Sequence, residues 1–272
     1  MLDFYQHIPE HINPIVFSIG DFAIHWYSIM WVTAFGVIYL LLLWRTKKNE
    51  GNYSIEFLQN LITNSLIGAL VGGRLGYVIF YNLLYYIKNP IQVISPYDFD
   101  SDRWIGIYGM SYHGGVIGVV IALIWTAKKN KQDVLKLFDF IVPVIPLGYM
   151  FGRFGNFFNT ELVGRITDSS LGMYFNDEIV LRHPSQLYEA FCEGVLLFII
   201  LWSLRNRKFE KGILGALYLM GYAIVRFIIE FFREPDEQLG FVFGTFTMGQ
   251  ILSFIMFIIG IGLFIKIKNR RL

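Results

Sequence analysis

Residues 244–265 read GTFTMGQILSFIMFIIGIGLFI and contain no charged side chain. An α-helix needs about 20 consecutive apolar residues to cross the hydrocarbon core of a bilayer, and this run has that length. The stretch therefore predicts a membrane-spanning helix close to the carboxyl end of the sequence.

Six more apolar runs precede this one, although the second and fourth each contain an arginine and several glycines. Across the whole sequence 55% of residues are hydrophobic and 16% are charged, whereas ordinary soluble domains carry about 25% charged residues. The sequence thus predicts an all-α integral membrane protein with a single polytopic domain covering residues 1–272. Its seven predicted spans are 22–44, 57–81, 106–127, 137–154, 186–204, 212–232 and 244–265.

Basic residues are distributed unevenly between the segments that connect these spans. Fifteen of the 23 lysines and arginines follow the first, third, fifth and seventh spans, and four lie in the alternate connections. Because cytoplasmic loops of membrane proteins are enriched in lysine and arginine, the amino terminus is predicted to be outside and the carboxyl terminus cytoplasmic. The longest loops, about 82–105 and 155–185, would then form a small external cap.

Several charged side chains fall inside the predicted spans, where a charge costs about 3 kcal/mol at mid-bilayer. With the predicted topology, Arg74, His113, Arg153 and Arg233 collect toward the outer leaflet. Structural pairing is an alternative for some of these groups. Arg226 and Glu230 are four residues apart on one helix face and would neutralise each other, and Arg74 would pair with a carboxylate.

The segment 152–164, GRFGNFFNTELVG, has the highest density of polar groups at the end of a span. It contains Arg153, Asn156, Asn159 and Glu161, a combination that is unfavourable there unless the side chains bind something. Guanidinium groups match phosphate bidentately, and a histidine accepts a proton near neutral pH. A cation and a base with access to lipid suggest group transfer from a phospholipid.

A transporter or channel is the main alternative, since intramembrane arginine and glutamate would line a polar pathway. The gathering of charges near one face, instead of across the bilayer, argues against it. Other lipid enzymes and proteases would need a metal-binding aspartate cluster or a Gly-x-Ser-x motif with a histidine partner, and neither is evident. A structural scaffold would not need this many buried cations.

Together these blocks resemble the prolipoprotein diacylglyceryl transferase family over nearly the whole sequence. Residues 152–164 fit that family's signature, G-R-x-G-N-F-x-N-x-E-x-x-G, at every fixed position. Shorter blocks that look like the family's other motifs are His25-Trp26-Tyr27, Gly73-Arg74-Leu75-Gly76, His113-Gly114-Gly115, His183-Pro184-Ser185-Gln186-Leu187-Tyr188-Glu189 and Arg233-Glu234-Pro235-Asp236.

The resemblance implies transfer of the diacylglyceryl group of phosphatidylglycerol to the lipobox cysteine thiol of a preprolipoprotein. A thioether would form and glycerol 1-phosphate would be released, as the first step of lipoprotein maturation. The expected location is the bacterial plasma membrane, with the site toward the outer leaflet and in contact with membrane lipid. No metal, soluble cofactor or nucleic-acid partner is expected.

The resemblance also implies roles for particular residues. Arg153 and Arg233 would hold the phosphate and stabilise the charge that develops on the leaving group. His113 would assist deprotonation of the substrate thiol, since the thiolate is the nucleophile, or would act through a neighbouring group. The expected substrate-binding residues are Arg153, Asn156, Asn159, Glu161, Gly164 and Arg233, with Tyr27 and Arg74 as weaker candidates.

Overall fold

The computed structural model describes residues 2–20, 22–95, 97–98, 103–104, 109–176, 179–235 and 240–269. Within them the chain is predominantly helical, as the sequence predicted. The helices are α1 Leu2–Gln6, α2 Trp26–Lys47, α3 Ile55–Tyr81, α4 Leu83–Lys88, α5 Tyr112–Lys129, α6 Val134–Ile141, α7 Ile145–Phe158, α8 Ser185–Glu189, α9 Leu197–Leu204, α10 Ile213–Ile229 and α11 Met248–Asn269. A π-helical segment, Ala190–Leu196, joins α8 to α9, and short 3₁₀ helices occupy Ile8–His11 and Pro90–Val93.

Three short two-stranded pairs accompany the helices in the described part of the chain, and the hydropathy pattern does not predict them. The paired strands are β1 Ile15–Ile19 with β2 Phe22–His25, β3 Tyr97–Asp98 with β4 Arg103–Trp104, and β5 Phe241–Phe243 with β6 Phe246–Thr247. Each pair is antiparallel and contains only two strands. The first pair precedes α2, and the other two lie in connections between helices, so the described part of the chain is mostly helical, consistent with the predicted all-α membrane protein.

Among the described residues, four helical stretches are long and apolar enough to cross a membrane: Trp26–Lys47, Ile55–Tyr81, Ser185–Leu204 and Met248–Asn269. The pair α6 and α7 raises the number to five if it is counted as one bent span. The structure thus fits a multi-pass membrane protein. Helix α10 is apolar, but with 17 residues it is shorter than these four stretches. Seven spans and an external amino terminus stay a prediction.

The fourth predicted span, 137–154, is not one straight helix. Helices α6 and α7 meet at a bend of 52°, and Pro146 lies in the first turn of α7. Proline has no amide hydrogen and its ring clashes with the carbonyl four residues earlier, so a continuous helix through this segment is unfavourable. The bend gives α7 a separate direction from that of α6.

The described residues divide into two compact units, which are considered separately. One unit, Thr46–Leu137, is dominated by the packing of α3 against α5. The two helices approach closely through glycines: a Cβ on Gly72 would lie 2.8 Å from Gly118 Cα. Small residues permit such contact between membrane helices, and Asn64 Nδ2 adds a 2.9 Å hydrogen bond to Thr126 Oγ1.

The other unit contains α2 and the chain from Phe138 onward. Its largest helix packing joins α10 to α11, and α7 packs on the π-helical segment. Asp139 caps the start of α10, because its carboxylate accepts hydrogen bonds of 2.6 Å and 2.9 Å from the amides of Gly212 and Gly215. Gly212 has a φ of 94°, a backbone conformation that glycine adopts without strain.

Candidate active site

Arg153 lies near the end of α7, inside the segment 152–164 that the sequence singled out. Its Nε is 2.6 Å from Glu189 Oε2 and also 2.6 Å from the Tyr149 hydroxyl oxygen. Its Nη1 donates a 3.0 Å hydrogen bond to Asn156 Oδ1. The guanidinium is therefore held from two sides, by a carboxylate of another helix and by polar groups of its own helix.

Asn156 continues this arrangement toward the chain that follows α7. Its Nδ2 donates a 2.6 Å hydrogen bond to Glu161 Oε1, while its backbone carbonyl accepts one of 3.1 Å from the Glu161 amide. Asn156 is buried, whereas Glu161 is exposed. The amide side chain therefore connects the buried guanidinium of Arg153 to an exposed carboxylate.

Glu189, at the end of α8, is the carboxylate that three arginines share. Its Oε2 contacts Arg153, and its Oε1 lies 3.0 Å from Arg226 Nη1 and 3.3 Å from Arg233 Nη1. The side chain is 0% exposed. A buried ion is tolerated only when it is paired and hydrogen-bonded, and Glu189 fulfils this condition with one arginine from α7, one from α10 and one from the chain just after α10.

Arg226 and Glu230 form the i,i+4 pair that the sequence predicted, with Nη2 and Oε2 2.6 Å apart. The prediction is confirmed but incomplete, because Arg226 also contacts Glu189 and lies 3.7 Å from Glu193 Oε1. Glu230 is fixed further by Thr247, whose hydroxyl donates a 2.9 Å hydrogen bond to Oε1. We call Arg153, Glu189, Glu193, Arg226, Glu230 and Arg233 the arginine–glutamate cluster.

Arg233 follows the end of α10, and its backbone forms an antiparallel bridge with Gly164. At that bridge a Cβ on Gly164 would lie 2.5 Å from the Phe232 carbonyl oxygen and 2.7 Å from His183 Cβ. No side chain fits there. The signature glycine thus allows three chain segments to meet, which brings Arg233 to Glu189.

Two further predicted residues lie along α7 and the start of α2. Tyr27 packs against α7, since a Cβ on Gly155 would lie 3.0 Å from Tyr27 Cδ2. Asn159 follows the last turn of α7, and its Oδ1 is buried without a hydrogen-bond partner in the described part of the chain. That oxygen is an acceptor to which a bound hydroxyl would donate.

Arg74 and His113 belong to the unit formed by Thr46–Leu137. Arg74 donates hydrogen bonds of 2.7 Å to the carbonyl of Val93, 2.6 Å to that of Gln92 and 3.3 Å to that of Gly109. These contacts join α3 to the chain around the 3₁₀ helix and to the segment before α5. Arg74 is therefore engaged by backbone carbonyls of its own unit.

His113 occupies the first turn of α5, directly after the cap at Ser111, whose hydroxyl accepts a 3.3 Å hydrogen bond from the Gly114 amide. The imidazole is exposed, and its ring lies edge-on to that of Tyr112 at 5.7 Å between centroids. An exposed imidazole at a helix start is able to receive a proton from a bound group.

Sequence reasoning did not assign site roles to Tyr149, Glu189, Glu193 and Arg226, all of which contribute to or contact the cluster. A signal for Glu189 was present, because three intramembrane arginines require buried anions near them. The sequence has carboxylates inside the fifth predicted span at Glu189 and Glu193. Pairing these with the arginines of the fourth and sixth spans would have predicted the contact.

Comparison with known proteins agrees with the motifs. The family model described as prolipoprotein diacylglyceryl transferase matches residues 14–266. A phosphatidylglycerol–prolipoprotein diacylglyceryl transferase of Chlorobaculum tepidum is 48% identical, with 99% of this chain and 96% of that protein covered. Proteins of the same name from Rickettsia bellii and Campylobacter jejuni are 46% and 43% identical, covering 96% and 99% of this chain and 97% and 99% of theirs. The chain belongs to the prolipoprotein diacylglyceryl transferase family.

Proposed function

We propose that this chain transfers the diacylglyceryl group of phosphatidylglycerol to the lipobox cysteine of preprolipoproteins. The reaction forms a thioether and releases glycerol 1-phosphate. The observation that carries the proposal is the convergence of Arg153, Arg226 and Arg233 on Glu189 in a chain whose relatives bear this activity in their names. Three largely buried guanidiniums in a membrane protein are suited to an anionic lipid head group.

The chemistry places a particular demand on these cations. Thioether formation breaks the bond between the diacylglyceryl carbon and a phosphate oxygen, so the phosphodiester monoanion leaves as a phosphate monoester with additional negative charge. Fixed cations near the developing charge stabilise the transition state more than the ground state. Arg153 and Arg233 supply that charge, and Arg226 adds to it.

Arg153 has a donor that is suited to this task. Its Nε and Nη1 hold the contacts described above, whereas its Nη2 makes no hydrogen bond within the described part of the chain. A phosphate oxygen is able to accept from Nη2 while Glu189 and Asn156 keep the guanidinium plane fixed. The substrate then binds without first displacing the groups that orient Arg153.

The head-group glycerol is bound by polar residues at the end of α7 and in the chain just after it. Asn159 Oδ1 accepts from a glycerol hydroxyl, and Glu161 and Asn156 orient Arg153 or the same glycerol. Tyr27 contributes a wall of the site beside α7, and Gly164 keeps Arg233 in place. Arg74 stays a weaker substrate-binding candidate, because its described donors contact carbonyls of its own unit.

His113 takes the proton of the lipobox thiol, so that the thiolate attacks the diacylglyceryl carbon. Its exposed imidazole supports this role. We further propose that the enzyme lies in the bacterial plasma membrane, with seven spans and the site toward the outer leaflet. The distribution of lysine and arginine between the loops supports this orientation.

The test uses purified full-length protein, phosphatidylglycerol vesicles and a peptide that carries a lipobox cysteine. Mass spectrometry should find the diacylglyceryl adduct on the peptide and an equal amount of released glycerol 1-phosphate. A peptide with serine in place of the cysteine is the matched control and should gain no mass. Failure to modify the cysteine peptide would refute the proposed function.

A further inference from the structure

Glu193 is a buried carboxyl in the π-helical segment Ala190–Leu196. The residue is 1% exposed, and neither carboxyl oxygen has a hydrogen-bond partner in the described part of the chain. Its neighbour Glu189, one turn earlier, is by contrast contacted by three guanidiniums. The two acids therefore share a location but have different surroundings.

The segment holds Glu193 firmly in this position. A Cβ on the adjacent Gly194 would lie 2.7 Å from Met150 Cβ, so the π-helical turn rests directly on α7. π-helical turns inside α-helices are rare and occur frequently at functional sites. This contact fixes the backbone beside Glu193 against α7.

The charged and titratable groups around Glu193 come from three elements. Tyr149 and Arg153 face it from α7, Glu189 precedes it on its own helical stretch, and Arg226 approaches from α10. The Tyr149 hydroxyl donates a 3.4 Å hydrogen bond to Glu189 Oε2. The Arg226 Nη1 lies 3.7 Å from Glu193 Oε1 but 3.0 Å from Glu189 Oε1.

Glu230, the residue that follows α10, takes the other end of the Arg226 guanidinium through Nη2. Arg226 is therefore engaged principally by Glu189 and Glu230. The Tyr149 hydroxyl faces Glu193 as well, but it already accepts from Arg153 Nε and donates to Glu189. A negative charge on Glu193 would have weaker compensation than the charge on either of the other two carboxylates.

The net charge of the whole cluster also bears on the protonation of Glu193. Three guanidiniums and three ionised carboxylates sum to zero, and an incoming phosphodiester would make the buried site net negative. Removing charge from water is unfavourable unless it is balanced locally. A buried carboxyl without hydrogen bonds is the group that most readily becomes neutral in such a setting.

We propose that Glu193 is a neutral carboxylic acid in the substrate-free protein, so that the cluster carries one net positive charge and accepts one monoanionic phosphodiester. This inference rests on the proposed function and makes Glu193 a specificity-determining residue for the lipid head group. A phosphatidylglycerol head balances the site. In a zwitterionic phospholipid the phosphate already neutralises the positive charge of the cluster. The additional ammonium group then has no anionic partner there, so this lipid binds less well.

The charge state is tested directly by infrared difference spectroscopy on the full-length protein in lipid nanodiscs, without substrate. The wild-type protein should show the carbonyl stretch of a protonated carboxylic acid at neutral pH, and Glu193→Gln should lack it. Glu193→Asp keeps the acid and should shift the band. If neither variant changes this region of the spectrum, Glu193 is ionised and the inference is wrong.

The effect on substrate binding is tested by the pH dependence of KM for phosphatidylglycerol. As pH rises, ionisation of Glu193 lowers the net charge of the cluster, and KM of the wild-type enzyme should rise by about tenfold or more. Glu193→Gln fixes the neutral form and should lose that alkaline rise in KM. An unchanged alkaline rise in the variant would overturn the assignment.

The two proposals fail in different ways. A wild-type protein that shows the carboxylic acid band but modifies no lipobox peptide refutes the proposed function while leaving the neutral acid in place. A protein that transfers normally but shows no band attributable to Glu193 refutes only the inference.

Discussion

Replacing Glu189 with glutamine should cost both stability and activity, because one carboxylate compensates three arginines. Glutamine has almost the same shape, so the substitution removes a charge without opening a cavity. The contacts affected are those to Arg153 at 2.6 Å, Arg226 at 3.0 Å and Arg233 at 3.3 Å, all around a side chain that is fully buried.

The magnitude follows from the burial. Removing one partner of a buried ion pair typically costs about 3–5 kcal/mol, since the remaining charge is left without compensation. The amide group of the introduced glutamine would also direct two N–H donors toward guanidiniums that have no acceptor to offer. We therefore expect the free energy of unfolding to fall by at least about 3 kcal/mol.

The transfer rate of the Glu189→Gln variant should fall by more than the loss of folded protein would explain. Arg153 would no longer be held at Nε by an anion, and a displacement of about 1 Å in a group that positions substrate reduces rates by about 100-fold. The assay is the transfer rate to the lipobox peptide, measured on protein that remains folded at the assay temperature. Thermal unfolding of the same preparation gives the change in stability.

Glu234→Gln is the matched control. Glu234 also pairs with an arginine, Arg182, at 3.3 Å, but its side chain is 50% exposed. Exposed ion pairs contribute about 0–1 kcal/mol, so this variant should resemble wild type in unfolding and transfer. If Glu189→Gln behaved like Glu234→Gln, the carboxylate would not be organising the three arginines.

Further substitutions test the individual parts of the site. Arg153→Lys keeps the charge but loses the planar set of donors, so the transfer rate should drop by about 100-fold or more while the protein still inserts; an active variant would argue for charge alone. His113→Ala should abolish adduct formation and leave membrane insertion intact, and normal turnover would remove His113 from the mechanism. Gly164→Ala should lower the unfolding temperature through a loss of about 1–3 kcal/mol, because its Cβ would contact the Phe232 carbonyl. Gly152→Ala, where a Cβ has open space, should leave that temperature unchanged.

Much of the helical framework was predictable because membrane helices are marked in the sequence by their length and low polarity. The run 244–265 corresponds to α11, Met248–Asn269, and 57–81 corresponds to α3, Ile55–Tyr81. The observed helix ends differ from the predicted ones by a few residues, because hydrophobicity does not mark the capping groups. Ser54, which accepts a 3.1 Å hydrogen bond from the Phe57 amide, sets the start of α3.

Other features depend on contacts that a hydropathy pattern does not contain. The bend between α6 and α7 had a local signal, since Pro143 and Pro146 interrupt the predicted fourth span. The π-helical turn at Ala190–Leu196 had none, because its sequence, AFCEGVL, is compatible with an ordinary helix. The segment packs on α7 through Gly194, a tertiary contact that its sequence alone does not reveal.

For the candidate site, the sequence identified the cations more readily than the anions. Arg153 was singled out by its dense polar block, and Arg233 by its position after a span. Glu189 was quoted only as part of a short motif, because a single acid in an otherwise apolar segment has no distinctive local pattern. Pairing between helices is a long-range property, and it became visible when the contacts of Arg153, Arg226 and Arg233 were measured.

The same pairing explains how the proposed anion-binding site would persist in a membrane without its substrate. Uncompensated arginines inside a membrane would be costly, and Glu189 lowers that cost by lying between them. The compensation is incomplete in one respect, since two oxygens of one carboxylate cannot satisfy the donors of three guanidiniums. A phosphate that accepts from the remaining donors, such as Arg153 Nη2, gains affinity without dismantling the cluster, and the charge that leaves with it meets cations whose positions were fixed beforehand.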